Sequence, residues 1–135
     1  MLDTNVLVSA LLTEGGTCST LLRAVLAGRI EVCADDRILA EYERVCHEPR
    51  LGLDSHATHT ILACIREIMV FINARPLSVI LPDIDDLPFL EVADTAGAFL
   101  VTGNKKHFPP ERCGSVAVLS PAEFLTLLRS AAIPE

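Results

Sequence analysis

Short apolar runs of strand length alternate with amphipathic stretches of helix length along almost the whole chain. Few folds accommodate that alternation. Apolar runs fall at residues 30–34, 77–81, 99–102 and 116–119, and another at the very start ends in Asp3-Thr4-Asn5. Between them, Leu21, Leu22, Val25 and Leu26 precede Gly28 at helical spacing. Ile38, Leu39, Tyr42, Val45 and Cys46 then follow a capping Asp35 or Asp36. Residues 55–73 carry the longest periodic pattern, Ile61, Leu62, Ile65, Ile68, Met69 and Ile72, which predicts one core-facing helix. A further helix is expected over residues 89–96, closed by Gly97, and Ser120-Pro121-Ala122-Glu123 reads as a capping box opening the last one. Strands separated by helices pair in parallel, because the crossover consumes the intervening residues. The expected fold class is therefore α/β, a parallel sheet with helices on both faces, forming a single domain over residues 1–135.

Half of the residues are hydrophobic, which suits a sheet covered on both sides. No window approaches the roughly 18 continuous apolar residues of a membrane span. No basic segment precedes an apolar one at the start, so a soluble, cytoplasmic chain is expected. Five scattered cysteines without a C-x-x-C pair predict reduced thiols rather than a disulfide scaffold.

Polar residues concentrate in a few places. In open α/β sheets, ligands gather beyond the C-terminal strand ends, so Asp3, Thr4 and Asn5 stand where chemistry is expected; their structural alternative is helix capping. Asp83, Asp85 and Asp86 place three carboxylates within four positions. A helix N-terminus accommodates one or two of these, which accounts for Asp85 or Asp86 better than for all three. Magnesium and manganese, which favour oxygen ligands, require such gatherings. Glu41 lies on one edge of its helix's apolar stripe and Glu43 on the other, and spacing does not choose between them. Lys105, Lys106, His107 and Arg112 form a concentrated positive stretch after Thr102-Gly103-Asn104. It suits either contact with an RNA backbone or a solvated loop. The net charge of −7 opposes a nucleic-acid partner unless bound divalent cations invert the local field. His56 and His59, like Cys46-His47, match no zinc spacing.

Taken in order, Asp3-Thr4-Asn5, Ile38-Leu39-Ala40-Glu41, Asp85-Asp86-Leu87-Pro88-Phe89-Leu90 and Thr102-Gly103-Asn104-Lys105 resemble the PIN domain. Within that family the chain is most similar to the bacterial VapC-like toxins of toxin–antitoxin pairs. The resemblance covers nearly the whole chain. It implies a five-stranded parallel sheet in a three-layer α/β/α sandwich. It also implies a Mg2+- or Mn2+-dependent endoribonuclease, in which a metal-activated water attacks phosphorus in line with the leaving 3′ oxygen. A homodimer and a small antitoxin that covers the site follow from the same resemblance. Residue by residue, Asp3, Glu41 and Asp86 match the catalytic, metal-binding acids, and Asn104 falls on the fourth metal position, where Asp is commoner. Asn5 supports Asp3, and Asp83 and Asp85 accompany Asp86. Only Met1 and Leu2 precede Asp3, where the family has several residues more, so either the start is trimmed or the central strand is short.

Two other classes compete. Phosphoryl transfer from an aspartyl nucleophile wants Asp-x-Asp, and position 5 is Asn. A PIN-like module with weakened metal binding, acting through RNA or protein contacts, is favoured by Asn104 and the net charge. The intact Asp3, Glu41 and Asp86 oppose it.

Overall fold

A computed structural model of the chain describes residues 1–131. Met1 and Leu2 run extended beside the segment around Val101. Val101 N–H donates to Met1 O and Asp3 N–H to Val101 O, both at 2.9 Å, giving one parallel bridge between Leu2 and Val101. At Asp3 the chain changes type. Its Oδ1 accepts from Thr4 N–H at 2.8 Å and α1 (Thr4–Leu12) begins. The strand expected to reach Asn5 therefore stops at Leu2, and Asp3, still extended, is the helix cap. The two readings of this stretch meet in one residue, because an extended Asp has the backbone conformation an N-cap needs.

Helix α1 buries Val6, Leu7 and Ala10 and packs on α2 (Thr17–Leu26). Asp35 rather than Asp36 caps α3 (Asp36–Cys46), accepting from Ile38 N–H at 3.1 Å. Ile38, Leu39, Tyr42 and Cys46 of α3 are buried at the helical spacing the sequence shows. The longest predicted helix is shortened: α4 (Ser55–Ile68) stops before Met69. Val70–Phe71 forms β2 instead, parallel to β1 (Cys33–Ala34) in the register Cys33↔Val70 and Ala34↔Phe71. Met69 and Ile72 continue the helical period of α4. However, β-branched and aromatic residues at 70 and 71 favour the open edge that β1 offers.

The run at 30–34 keeps only Cys33 and Ala34 as strand, and residues 77–81 form none. Side chains take the backbone groups that a ladder there would use. Leu77 N–H donates to Glu91 Oε2 at 2.8 Å, Arg75 N–H to Thr95 Oγ1 at 2.9 Å, and Ile80 O accepts from Arg112 at 2.8 Å. Helix α5 (Leu87–Ala96) begins two residues earlier than expected. It buries five consecutive residues, Phe89 to Ala93, because β1, β3 and α3 all pack against it. It ends at Gly97, whose φ of +64° few side chains tolerate. Strand β3 (Leu100–Val101) pairs in parallel with β4 (Val118–Leu119). The capping box of α6 (Pro121–Ala131) is formed reciprocally: Glu123 N–H donates to Ser120 Oγ at 3.1 Å and Ser120 N–H to Glu123 Oε1 at 2.8 Å.

The fold is thus α/β with parallel pairing. A continuous five-stranded sheet is not formed among the described residues: β1–β2 and β3–β4 are separate pairs, and Leu2 bridges onto Val101. All five cysteines are free thiols. Among the described residues no helix is long and apolar enough to cross a membrane.

One buried acid holds the strandless segment in place. Glu91, 6% exposed, accepts from Arg37 Nη1 at 2.7 Å and from Leu77 N–H at 2.8 Å. Arg37 also binds Asp35 Oδ2 at 2.7 Å, so one guanidinium links the cap of α3 to the middle of α5. Removing one partner of such a pair leaves the other charge and an amide unmet. Arg37 is about half exposed, which limits the cost. Glu91→Ala should destabilise the protein by about 2–3 kcal/mol and Glu91→Gln by clearly less, as read from urea unfolding.

Candidate metal centre

Asp3 is 6% exposed, and its carboxylate is surrounded by neutral donors. Besides Thr4 N–H, it accepts from Thr102 Oγ1 at 2.8 Å and Asn5 Nδ2 at 3.3 Å. Thr102 is fully buried immediately after β3, and its hydroxyl in turn accepts from Asn104 N–H at 3.0 Å. Asn5 Oδ1 accepts from Gly103 N–H at 3.0 Å, and a Cβ at position 103 would lie only 3.4 Å from that oxygen. The end of the first extended segment and the end of β3 are knitted together around one carboxylate.

Two further acids face it. Glu41, on α3, accepts a hydrogen bond from the Thr4 hydroxyl, next in sequence to Asp3. Asp86 precedes α5 but makes no side-chain cap bond to it. Its Oδ2 instead meets His107 Nδ1 at 2.9 Å, and His107 Nε2 meets Asn104 Nδ2 at 3.0 Å. An amide NH2 can only donate, so Nε2 is the acceptor and Nδ1 carries the proton directed at Asp86.

The electrostatics follow from burial and mutual repulsion. Burial raises the Asp3 pKa most; Glu41 adds to it, while Thr102, the Thr4 amide and His107 oppose it. Asp86 is pushed up to about 6 by desolvation first, then by the charges of Asp3 and Asp83, with His107 pulling the other way. Buried Tyr42, whose hydroxyl donates to Leu2 O, is held well above its usual range by desolvation and then by Asp3. Arg44 comes no closer than 3.9 Å to Glu41 and stands largely in solvent. Acids whose charges raise the pKa values of Asp3 and Asp86, beside neutral donors, fit a divalent cation.

The sequence profile of the PIN domain matches residues 1–106. This chain belongs to the PIN-domain family. Over 108 residues it is 29% identical to an uncharacterized protein of Methanocaldococcus jannaschii, an alignment that covers 78% of this chain and 70% of that one. No solved structure matches. PIN domains are nuclease-type domains, and the matched region includes Asp3, Glu41, Asp86 and Asn104.

This PIN domain sorts its polar residues unevenly. Asp86, not Asp85, faces Asp3; Asp85 is exposed. The cap in the second acidic cluster is Asp83, which accepts from Asp85 N–H at 3.0 Å at the start of a 3-10 turn (Ile84–Asp86). Glu41 accepts from Thr4, the residue after Asp3, whereas Glu43 lies within 3.9 Å of His47. Among the described residues, one group of three presents ligating atoms all within 4.8 Å of one another, and it is Asp83, Asp86 and His107. Asn104 reaches the acids through His107. The positive stretch is partly committed elsewhere: Lys105 pairs with Glu123 at 2.9 Å and Arg112 donates to Ile80 O, while Lys106 is exposed. Thr102 and His107 join Thr4 in contact with these acids, and sequence reading assigned neither of the two a role in holding Asp3 or Asp86.

The raised Asp86 pKa has a consequence for stability. The folded chain holds that proton to about pH 6, whereas an unfolded Asp releases it near pH 4. The native state thus binds more protons between those values, and stability falls as pH rises through the window. Without metal, the protein should unfold more easily near pH 7 than near pH 5. Asp86→Asn should remove part of that difference and raise stability near pH 7 by on the order of 1 kcal/mol, measured by denaturant unfolding at both pH values.

Proposed function

We propose that this PIN domain is a divalent-metal-dependent endoribonuclease that uses Mg2+ or Mn2+. What supports the reading is that Glu41 acts on the charge of Asp3 and Asp3 on that of Asp86, although the three come from distant stretches, and that the donors to Asp3 are neutral. In this reading those three acids hold the cation, and Asn5, Asp83 and Asp85 support them. When bound, the cation offsets charge developing on the phosphodiester and makes water a stronger nucleophile at neutral pH. The chain's own contribution is orientation. Thr102, the Thr4 amide and Asn5 fix the Asp3 carboxylate from three sides, so it requires no reordering on loading. Asp86, protonated to about pH 6 in the free protein, must release that proton to hold a cation. Lys106, exposed beside the centre, is the basic residue best placed to meet RNA phosphate; Lys105 and Arg112 join it once freed from Glu123 and Ile80.

The same reading makes the chain a cytoplasmic toxin, a homodimer whose centre is covered by a cognate antitoxin, within the α/β/α layering of the family. The similarity to VapC-like toxins supports this. A small gene for a DNA-binding protein immediately upstream would support it further.

Two outcomes test the chemistry. Asp3→Asn should keep the fold, as Asn fills the same space, but cut cleavage of single-stranded RNA at least about 100-fold. That is the upper end of what loss of an outer-shell partner costs a metal centre. Undiminished cleavage in excess chelator would overturn the reading. Apparent Mn2+ affinity should also weaken as pH falls below about 6, because protons compete for Asp86.

A further inference from the structure

His107 lies 21 residues beyond Asp86 in sequence, yet its Nδ1 is 2.9 Å from Asp86 Oδ2. Asp83, Asp86 and His107 each offer a ligating atom within 4.8 Å of the other two. We propose that His107 is a ligand of the divalent cation through Nδ1, beside Asp86, so that the centre takes a first-row transition ion such as Mn2+ in preference to Mg2+. This rests on the metal-dependent reading above and adds to the carboxylate set a nitrogen that the family motifs do not include.

Three features carry it. The first is spacing. Two atoms bound to one octahedral cation at about 2.1 Å, at right angles, lie about 3 Å apart. Nδ1 and Oδ2 already stand at that separation, so a cation can take the place of the proton between them.

The second is donor chemistry. Carboxylate and water suit Mg2+, whereas adding an imidazole raises affinity for transition ions and does little for magnesium.

The third is the partner on the other side of the ring. In the free protein Asn104 Nδ2 donates to Nε2, which keeps the proton on Nδ1. With a cation on Nδ1, the neutral ring carries its proton on Nε2 and must donate. Asn104 serves that state too, by turning its amide over to present Oδ1. An Asp at 104 could accept from Nε2 but never donate to it, and would favour the ligating tautomer alone. Asn104 is therefore a positioning residue for His107 rather than a ligand.

The test uses the full chain and Mn2+, followed by electron paramagnetic resonance with electron spin echo detection of nitrogen couplings. Bound Mn2+ should show a 14N coupling that becomes a 15N coupling when only histidine is 15N-labelled, a readout on the unmodified protein. His107→Gln should abolish the coupling and weaken Mn2+ binding by about tenfold or more. Competing Mg2+ should lose no more than about threefold. Asn104→Asp should tighten Mn2+ binding, whereas Asp3→Asn should weaken both ions alike. His107 lies on a short 3-10 turn and its side chain is 39% exposed, so its replacement spares the core. Bound Mn2+ without histidine coupling, or coupling that survives in His107→Gln, overturns the ligand role and leaves the carboxylate centre standing. No binding of either ion to the unmodified chain overturns both.

Discussion

A carboxylate with almost no access to water must be met by hydrogen bonds or by a positive charge. Asp3 is met by hydrogen bonds alone, and the geometry around it follows from that requirement. Its backbone N–H closes the bridge to Val101, which fixes where the first extended segment ends. Its side chain takes the first amide of α1, which fixes where the helix begins. The hydroxyl of Thr102 fixes how β3 must arrive. Loss of any of these donors would leave a buried charge short of partners, a cost of about 1–3 kcal/mol for each group. The position of the acid and the architecture of the strand ends are therefore one constraint.

A second network of buried acids shows what the first one lacks. Asp35 and Glu91 are as secluded as Asp3, but Arg37 reaches both, at 2.7 Å each. That arrangement is complete: guanidinium, two carboxylates and the Leu77 amide satisfy one another, and it pins the segment after β2 onto α5. Around Asp3 and Asp86 the molecule places hydroxyls, amides and one imidazole, and the burial that raises both pKa values goes uncompensated. In the metal-dependent reading proposed above, a cation takes beside Asp3 and Asp86 the place that Arg37 takes between Asp35 and Glu91.

Much of this was legible in the sequence, and the parts that were not have identifiable causes. Caps and amphipathic stripes are local signals, so α2, α3, α5 and α6 lie close to where spacing puts them, and the Ser120–Glu123 capping box forms as written. The errors sit where two local signals agreed on different structures. Ile68, Met69 and Ile72 fit a helical period, but Val70 and Phe71 leave it to pair with β1. Leu77, Val79 and Leu81 alternate like a strand, yet Glu91, Thr95 and Arg112 claim the nearby backbone groups first. Those claims depend on side chains 14 to 32 residues away, which no periodicity reports. α1 was hidden because Asp3-Thr4-Asn5 satisfies the rules for a strand end and a helix start together.

The site divides along the same line. Asp3, Glu41 and Asp86 could be matched because each sits in a short motif tied to its own element. Thr102 and His107 act across 99 and 21 residues respectively, and their partners appear only when the chain is folded. Glu41 and Asp86 are each engaged by a single side-chain hydrogen bond. The Thr4 hydroxyl holds Glu41, and an imidazole on an exposed turn holds Asp86. Asp3, whose donors include two backbone-anchored contacts, is the fixed member. In the metal-dependent reading, a cation would replace one side-chain hydrogen bond at Glu41 and one at Asp86, while the strand ends around Asp3 would keep their contacts. The acid with the most hydrogen bonds is thus the one around which the strand ends are arranged, and the two with a single side-chain hydrogen bond each lie on α3 and at the start of α5.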